Sequence, residues 1–481
     1  MKVLFVSWEI DPFFKLGGLG DVARSLPAAL KKAGVDIKIV IPYYDVLRLG
    51  NNKKTLVGNF NVTYDKKNEI VKIYEVLHPT SKVPVYLLKN KKYLNKIKAA
   101  DTFAFFDKAI VEMIKRNVTG WIPEIVHCND HHAGLIPLLI KEEKLPIKTL
   151  FTIHNLSYQG EYQIDLLDKL EMNLSRCKVV KWEIRTKKIN FLTEGIIHAD
   201  FVTTVSPTYA KEIMKEEYGK GLEEILRARE GRIFGILNGI DIEYNNLLHN
   251  KMLSYPYLGR FNNADEKLKL KNVSWEEGKK LNKIYLQKKL GLSIGNSIPI
   301  LGFIGRFDAA QKGIDLIHKM VRRNDKLDFE LVVLGTGDLN WEERYKWLSK
   351  FYPKNVSCNF VFDEKLARQI YAASDFMLIP SKFEPCGLVQ MISMSYGTLP
   401  IAYKTGGLKD SIKDGINGFL FEKITSEALE RKVKTAIDIW KNNKPVYKKM
   451  VEEAMRTDFS WDKSATEFIS LYEKALTEKE L

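Results

Sequence analysis

The chain has 481 residues, 45% of them hydrophobic and 28% charged, with ordinary glycine and proline content; this excludes a disordered or fibrous protein and is too long for one hydrophobic core, so two domains are expected. Its four cysteines, Cys128, Cys177, Cys358 and Cys386, form no CxxC pair and no cluster with histidine, which argues against a disulfide framework or a zinc site and fits a reducing cytoplasm. The formal charge of +15 sits in mixed stretches such as residues 89–98 and 279–289, which read as solvated faces with no nucleic-acid motif beside them.

In chain order, residues 3–8 are apolar but short, and Glu9 and Asp11 follow, so the start is a strand rather than a signal peptide. No run of about 18 apolar residues predicts a membrane span. A glycine-rich turn at Gly17, Gly18 and Gly20 precedes a helix over 21–32 and a second strand over 36–41. Further strands are expected at 83–88, 125–128, 149–154 and 201–205. The same alternation restarts with strands at 300–304, 330–334, 356–362 and 376–379, a helix from Gly313 and a turn at 335–337. Between the halves, residues 243–291 are polar and lysine-rich and read as a linker with attached helices. Apolar and aromatic positions from 459 to 476 predict a closing helix. The expected organisation is therefore α/β: domains over 1–242 and 243–455, each a doubly wound parallel sheet, facing across a deep cleft, and a C-terminal segment 456–481 packing back on the first domain. In such sheets ligands sit beyond the carboxyl ends of the strands.

Four constellations carry candidate chemistry. Lys15-Leu16-Gly17-Gly18-Leu19-Gly20-Asp21 lies between a strand and a helix. Glycines admit close backbone approach, helix-start N–H groups favour anions and the lysine supplies charge for a diphosphate; alone, it fits a plain tight turn equally well. Asp130-His131-His132-Ala133-Gly134-Leu135 follows the strand at 125–128. His132 could hydrogen-bond a sugar hydroxyl or serve as a buried cap, and neighbouring histidines seldom converge on one metal. Arg306 and Lys312, six residues apart on one loop, can both reach a diphosphate and stabilise charge that grows as it leaves, or stand as surface cations. In Pro380-Ser381-Lys382-Phe383-Glu384-Pro385-Cys386-Gly387-Leu388, Glu384 and the amides of Cys386 and Gly387 suit sugar hydroxyls. Gly406 and Gly407 then offer a second close approach to phosphate.

Taken in order, with Phe151-Thr152-Ile153-His154-Asn155-Leu156-Ser157-Tyr158-Gln159-Gly160, Leu237-Asn238-Gly239-Ile240-Asp241 and Asp458-Phe459-Ser460-Trp461, these segments resemble the glycogen/starch synthases, retaining glycosyltransferases of the GT-B fold. The resemblance implies transfer of glucose from ADP-glucose, with UDP-glucose as the alternative donor, to the non-reducing end of an α-glucan such as glycogen or a maltooligosaccharide, without metal or cofactor. It implies a front-face reaction in which the leaving phosphate helps deprotonate the incoming 4-hydroxyl. By the same resemblance Lys15, Gly17, Gly18, Asp21, Arg306, Lys312, Gly406 and Gly407 lie at the donor phosphates. His132, Asn238, Glu384, Cys386 and Gly387 lie at the glucose, Phe362 against the base, and Glu9, His154 and Asn155 on the acceptor side. Catalysis falls to His132, Arg306, Lys312 and Glu384. The sequence departs from the family's pattern at Asn129 and His131, in the residues after Asp241, and in an Arg306-to-Lys312 spacing one residue longer than in many bacterial members. A GT-B transferase making another glycoside and a catalytically silent glucan-binding protein are the competing readings.

Overall fold

A computed structural model describes residues 1–97, 99–172, 186–241, 245–248, 250–257, 273–324 and 326–478. Cys177 and, of the expected linker, positions 243, 244, 249 and 258–272 lie outside them. The chain divides into two compact units, Met1–Gly239 together with the segment from Trp461, and Ile240–Ser460.

The N-terminal unit contains β1 (Lys2–Val6), β2 (Asp36–Pro42), β3 (Thr55–Tyr64), β4 (Lys67–Leu77), β5 (Pro84–Lys89), β6 (Ile125–Asn129), β7 (Lys148–Ile153), β8 (Glu161–Gln163), β9 (Lys188–Asn190), β10 (Phe201–Thr204) and β11 (Ile233–Gly235). Nine of them form one sheet in the order β11-β10-β7-β6-β1-β2-β5-β4-β3. The seven from β11 to β5 pair in parallel, and the β3–β4 hairpin adds antiparallel to β5. That hairpin escapes the sequence reading. Its two-residue loop, Asp65–Lys66, has φ of 54° and 57°, a left-handed turn that Asn-Gly or Asp-Gly would advertise and Asp-Lys does not. The first helix starts at Gly18 and runs to Lys32, so Gly18 and Gly20 belong to its first turn rather than to a loop before it.

The helix Trp461–Thr477 is part of this unit. Trp461, Phe468, Leu471 and Tyr472 enter the same core as Phe5, Leu26, Ile37 and Leu30. Polar ties add direction: Tyr472 Oη meets His127 Nδ1 at 2.7 Å, and Ser464 Oγ donates to the Leu237 carbonyl at 2.5 Å.

The C-terminal unit is a six-stranded, wholly parallel sheet, β12 (Ile300–Ile304), β13 (Glu330–Leu334), β14 (Val356–Asn359), β15 (Phe376–Ile379), β16 (Leu399–Tyr403) and β17 (Phe419–Phe421), in the order β14-β13-β12-β15-β16-β17. β14 stops at Asn359, short of the expected 362. The helix Trp275–Leu290 packs against the helix Glu364–Ala373 inside this unit. The reading of residues 279–289 as a solvated face is therefore corrected: Lys279 and Lys283 are buried. A charge pattern cannot reveal this, because lysines at helical spacing look alike whether or not a partner waits inside. Lys279 Nζ donates to Thr398 Oγ1 at 2.7 Å and to the carbonyls of Ala372 and Tyr396. Lys283 Nζ meets Asp375 Oδ2 at 2.8 Å; the same oxygen accepts the Ile300 N–H, while Asp375 Oδ1 accepts the Trp440 indole N–H.

Asp375 thus ties the start of β12 to two helices through one buried carboxylate. Replacing it by alanine strands the Lys283 ammonium in the interior. Asp375→Ala should cost the C-terminal unit about 3–5 kcal/mol in denaturant unfolding, with the N-terminal unit's transition unmoved; a loss under about 1 kcal/mol would show that water reaches the pair.

Candidate active site

In the N-terminal unit the candidate residues collect where β1, β6, β7 and β11 end. Glu9, three residues past β1, is buried and grips the glycine-rich segment. Its Oε2 accepts the N–H groups of Leu16 (2.5 Å) and Gly17 (3.0 Å), and Oε1 accepts that of Gly20 (2.9 Å). The expectation that this helix start offers free N–H groups is therefore corrected for Gly17 and Gly20, whose donors are taken by a carboxylate of the chain itself. Glu9, placed on the acceptor side by resemblance, acts in this structure as the clamp of the loop. Gly18 differs from its neighbours: a Cβ there would meet nothing within 4 Å, so neither packing nor backbone angle calls for glycine and the space beside it is open. Lys15 Nζ pairs with Asp21 Oδ1 at 2.7 Å, its side chain 37% exposed.

His132 lies in a stack of rings. It is parallel to Trp8 at 4.5 Å, edge-on to Phe103 at 4.6 Å and 3.8 Å from the His131 ring. Its Nδ1 is buried and makes no hydrogen bond among the described residues. His131 Nδ1–H donates to the Tyr158 carbonyl at 3.1 Å, and its ring fills the space that a side chain at Gly160 would need. His154 Nε2–H donates to Asn129 Oδ1 at 2.9 Å, and Asn129 Nδ2 donates to the Val6 carbonyl at 2.9 Å, linking β1, β6 and β7. Asn155 turns its Oδ1 onto the Ser157 N–H at 3.0 Å, and Asn238 is buried just beyond β11.

Asp130, to which the sequence reading assigned no role, is held at φ 56° and ψ −178°, a conformation almost reserved for glycine. Its carboxyl accepts the His154 N–H at 2.8 Å. Burial pushes its pKa up to about 7, against the pull of the His154 and Asn155 N–H groups and with a smaller push from Glu9. Burial lowers the three rings: His131 to about 4, His154 to about 3, and His132 well below the ordinary value, with His131 and His154 adding to the effect.

In the C-terminal unit the candidates stand at the ends of β12, β15 and β16, which are neighbours in the sheet. Arg306 Nη2 donates to Gln311 Oε1 at 2.8 Å. Gly313, at φ 64°, ends the loop where a Cβ would lie 2.0 Å from the Pro380 carbonyl oxygen, so glycine is required for Lys312 to reach the β15 loop. There Lys312 Nζ meets Glu384 Oε2 at 2.6 Å, with side-chain exposures of 21% and 10%. The Glu384 carbonyl accepts the Gly407 N–H at 3.1 Å, and Gly407 packs so closely on Cys386 that a Cβ would lie 2.0 Å from its carbonyl oxygen. Arg306, Lys312, Glu384, Cys386, Gly387, Gly406 and Gly407 are thus placed on adjoining loops. Phe362 lies beyond the end of β14 and is 98% exposed. Among the described residues, no group of three or more His, Cys, Asp or Glu side chains could hold a metal ion, and no helix is long and apolar enough to cross a membrane.

Two units built on parallel strands, each with cations and glycines at its strand ends, fit the GT-B class of glycosyltransferase, and comparison with known proteins shows that class. Residues 2–228 match the starch synthase catalytic domain and residues 292–456 the glycosyl transferases group 1. The chain is 38% identical to the glycogen synthase of Thermosipho melanesiensis over 100% of both chains, and 35% identical to that of Streptococcus pneumoniae strain JJA over 98% of this chain and 99% of the relative. The catalytic domain of starch synthase IV from Arabidopsis thaliana, bound to ADP and acarbose, superposes with a TM-score of 0.86 at 30% identity over 99% of each chain. The chain belongs to the glycogen/starch synthase family and is a glucosyltransferase.

Two outcomes test this geometry. Nitrogen-15 spectra of selectively labelled histidine should show His131, His132 and His154 neutral from about pH 8 down to about pH 5.5; a midpoint at or above the ordinary imidazole value for any of them would mean that water reaches the ring stack. Glu9→Gln should speed hydrogen exchange at Leu16, Gly17 and Gly20 by about tenfold or more, since bonds to an ionised acceptor are the stronger kind. Unchanged exchange would remove the clamp.

Proposed function

We propose that the chain transfers glucose from ADP-glucose to the non-reducing end of an α-1,4-glucan with retention of configuration, using no metal or cofactor. The observation that carries the reading is one accessible ion pair in each unit: Lys15 with Asp21, near the open space at Gly18, in the first, and Lys312 with Glu384, whose carbonyl holds the Gly407 N–H at the start of the helix Gly406–Ser411, in the second. Each lysine is held at a strand end by a single carboxylate in partial contact with solvent, and an incoming phosphate oxygen is a competing acceptor of the same charge.

In this reading Lys15, Arg306 and Lys312 bind the diphosphate, and Asp21 steadies Lys15 until it does. Glu384 and the amides of Cys386 and Gly387 take the glucose hydroxyls, with Asn238 beside them. The neutral His132 ring offers hydrogen bonding without placing a cation near the anomeric carbon, where positive charge grows. The bond from C1 to the phosphate oxygen breaks, that oxygen accepts the proton of the acceptor 4-hydroxyl, and the new C1–O4 bond forms on the same face. Arg306 and Lys312 stabilise the charge accumulating on the departing diphosphate, which needs no enzyme nucleophile. The ADP in the related starch synthase IV structure supports adenine over uracil. Phe362, exposed and at the end of its sheet's β14, is available to stack on the base. The family supports a cytoplasmic setting and a glycogen or maltooligosaccharide acceptor.

Purified protein given a maltooligosaccharide and either nucleotide sugar should release ADP and lengthen the chain faster with ADP-glucose. A higher kcat/KM with UDP-glucose would reverse the donor assignment, and nucleotide release without lengthening would reverse the acceptor. Lys15→Ala and Glu384→Ala should each lower kcat/KM by about 10²–10³-fold while thermal midpoints stay near that of the parent protein; unaltered kinetics in either would overturn that residue's place.

A further inference from the structure

The side chain of Gln390 is fully buried in the first turn of the helix Val389–Ser395, yet it faces the loop that precedes it. Its Nε2 donates to the carbonyls of Cys386 (3.0 Å) and Gly387 (2.7 Å) and to Ser411 Oγ (3.1 Å). Ser411 Oγ in turn donates to the Gly407 carbonyl at 2.6 Å, so it serves Gln390 only as an acceptor. One amide nitrogen therefore holds two successive peptide planes of the Glu-Pro-Cys-Gly loop and joins them to the helix that begins with Gly406 and Gly407.

The geometry of a trans peptide fixes the consequence. Carbonyl and N–H of one peptide point in opposite directions, so drawing the Cys386 carbonyl toward Gln390 turns the Gly387 N–H away from it, and drawing the Gly387 carbonyl turns the Leu388 N–H away likewise. Gly387 sits at φ 74°, and a Cβ on it would lie 2.5 Å from Gln390 Oε1 and 3.0 Å from Glu384 Cγ. The glutamine, the glycine and the glutamate are thus fitted to one another. Gln390 Oε1 is buried and makes no hydrogen bond among the described residues. An acceptor left unsatisfied in the interior is a cost that an apolar side chain of the same length would avoid, so packing alone does not account for glutamine here.

We infer that Gln390 is a positioning residue for the sugar half of the donor: it orients the Gly387 N–H toward the glucose hydroxyls and keeps that loop in register with Glu384, without touching substrate itself. The inference rests on the donor reading given above. It predicts a division of effects, because the cations proposed for the diphosphate, Lys15, Arg306 and Lys312, make no bond to Gln390 among the described residues, and its tie to the Gly406–Gly407 helix is indirect, through Ser411.

The test compares the parent enzyme, Gln390→Met, which keeps length and loses the donor, and Gln390→Glu, which replaces the donor by an acceptor facing two carbonyls. Calorimetric affinity for ADP should stay within about threefold in both variants, while kcat/KM for ADP-glucose falls by about 30-fold or more, as for loss of an oriented donor. Gln390→Glu should regain activity relative to the parent as the pH is lowered, since a protonated carboxyl again carries one donor. Unchanged kcat/KM in both folded variants would overturn the inference. So would a parallel loss of ADP affinity, which marks general loosening of the unit. An inactive parent enzyme with either nucleotide sugar would instead overturn the donor reading, and the inference with it.

Discussion

Because neighbouring strands from β11 to β5 in one unit, and all six in the other, run in the same direction, every chain reversal that follows a strand falls on one edge of its sheet. That constraint determines where chemistry can gather. The carboxyl end of a strand delivers its next few residues to the same edge as its neighbours do, so Glu9, Asn129, Asp130 and His154 meet although they are far apart in sequence. The same holds for Lys312, Glu384 and Gly407. The loops are then held by a small set of polar side chains: Glu9 collects three N–H groups, Asn129 bridges a carbonyl and an imidazole, and Gln390 gathers two carbonyls and a hydroxyl. Each such bond is modest in water-exposed settings, but where water is excluded its loss leaves a polar group without a partner.

Much of this was legible from residue order alone. The alternation of apolar runs with amphipathic stretches indicates two parallel sheets, and the glycine-flanked cations mark the strand ends that matter. What stayed hidden has definite physical reasons. The β3–β4 hairpin turns on Asp65 and Lys66 in the left-handed region, where residue type gives no warning. Lys279 and Lys283 look like surface residues because their compensation, Thr398 and Asp375, is supplied from about a hundred positions further along the chain. The grip of Glu9 on three N–H groups is hidden because a residue's type does not say which backbone donors the fold brings within its reach. Only the fold decides among such possibilities, since a side chain's partners are set by which strands become neighbours.

The charge of the candidate site is more balanced than the chain's +15 suggests. Lys15 and Lys312 are each matched by a carboxylate, and the imidazoles of His131, His132 and His154 are kept uncharged by burial. On the donor reading proposed above, each lysine would exchange its carboxylate for a phosphate oxygen rather than wait as a bare cation. The resting state is consequently less demanding on stability, because each lysine is paired with an acid of its own unit.

The chain leaves the N-terminal unit after Gly239 and re-enters it at Trp461, and the two crossings run side by side, with Ile240 bonded to Phe459. On the ribosome this order has a cost. The N-terminal unit is translated first but cannot close its core until Phe468, Leu471 and Tyr472 emerge, after some 220 residues of the other unit. For that interval Phe5, Leu26 and His127 lack their covering helix, and the nascent protein presents an apolar groove to chaperones and to neighbouring chains. A frameshift or stop codon shortly before Trp461 would spare every residue assigned to the site and still leave the first unit permanently in that unfinished state.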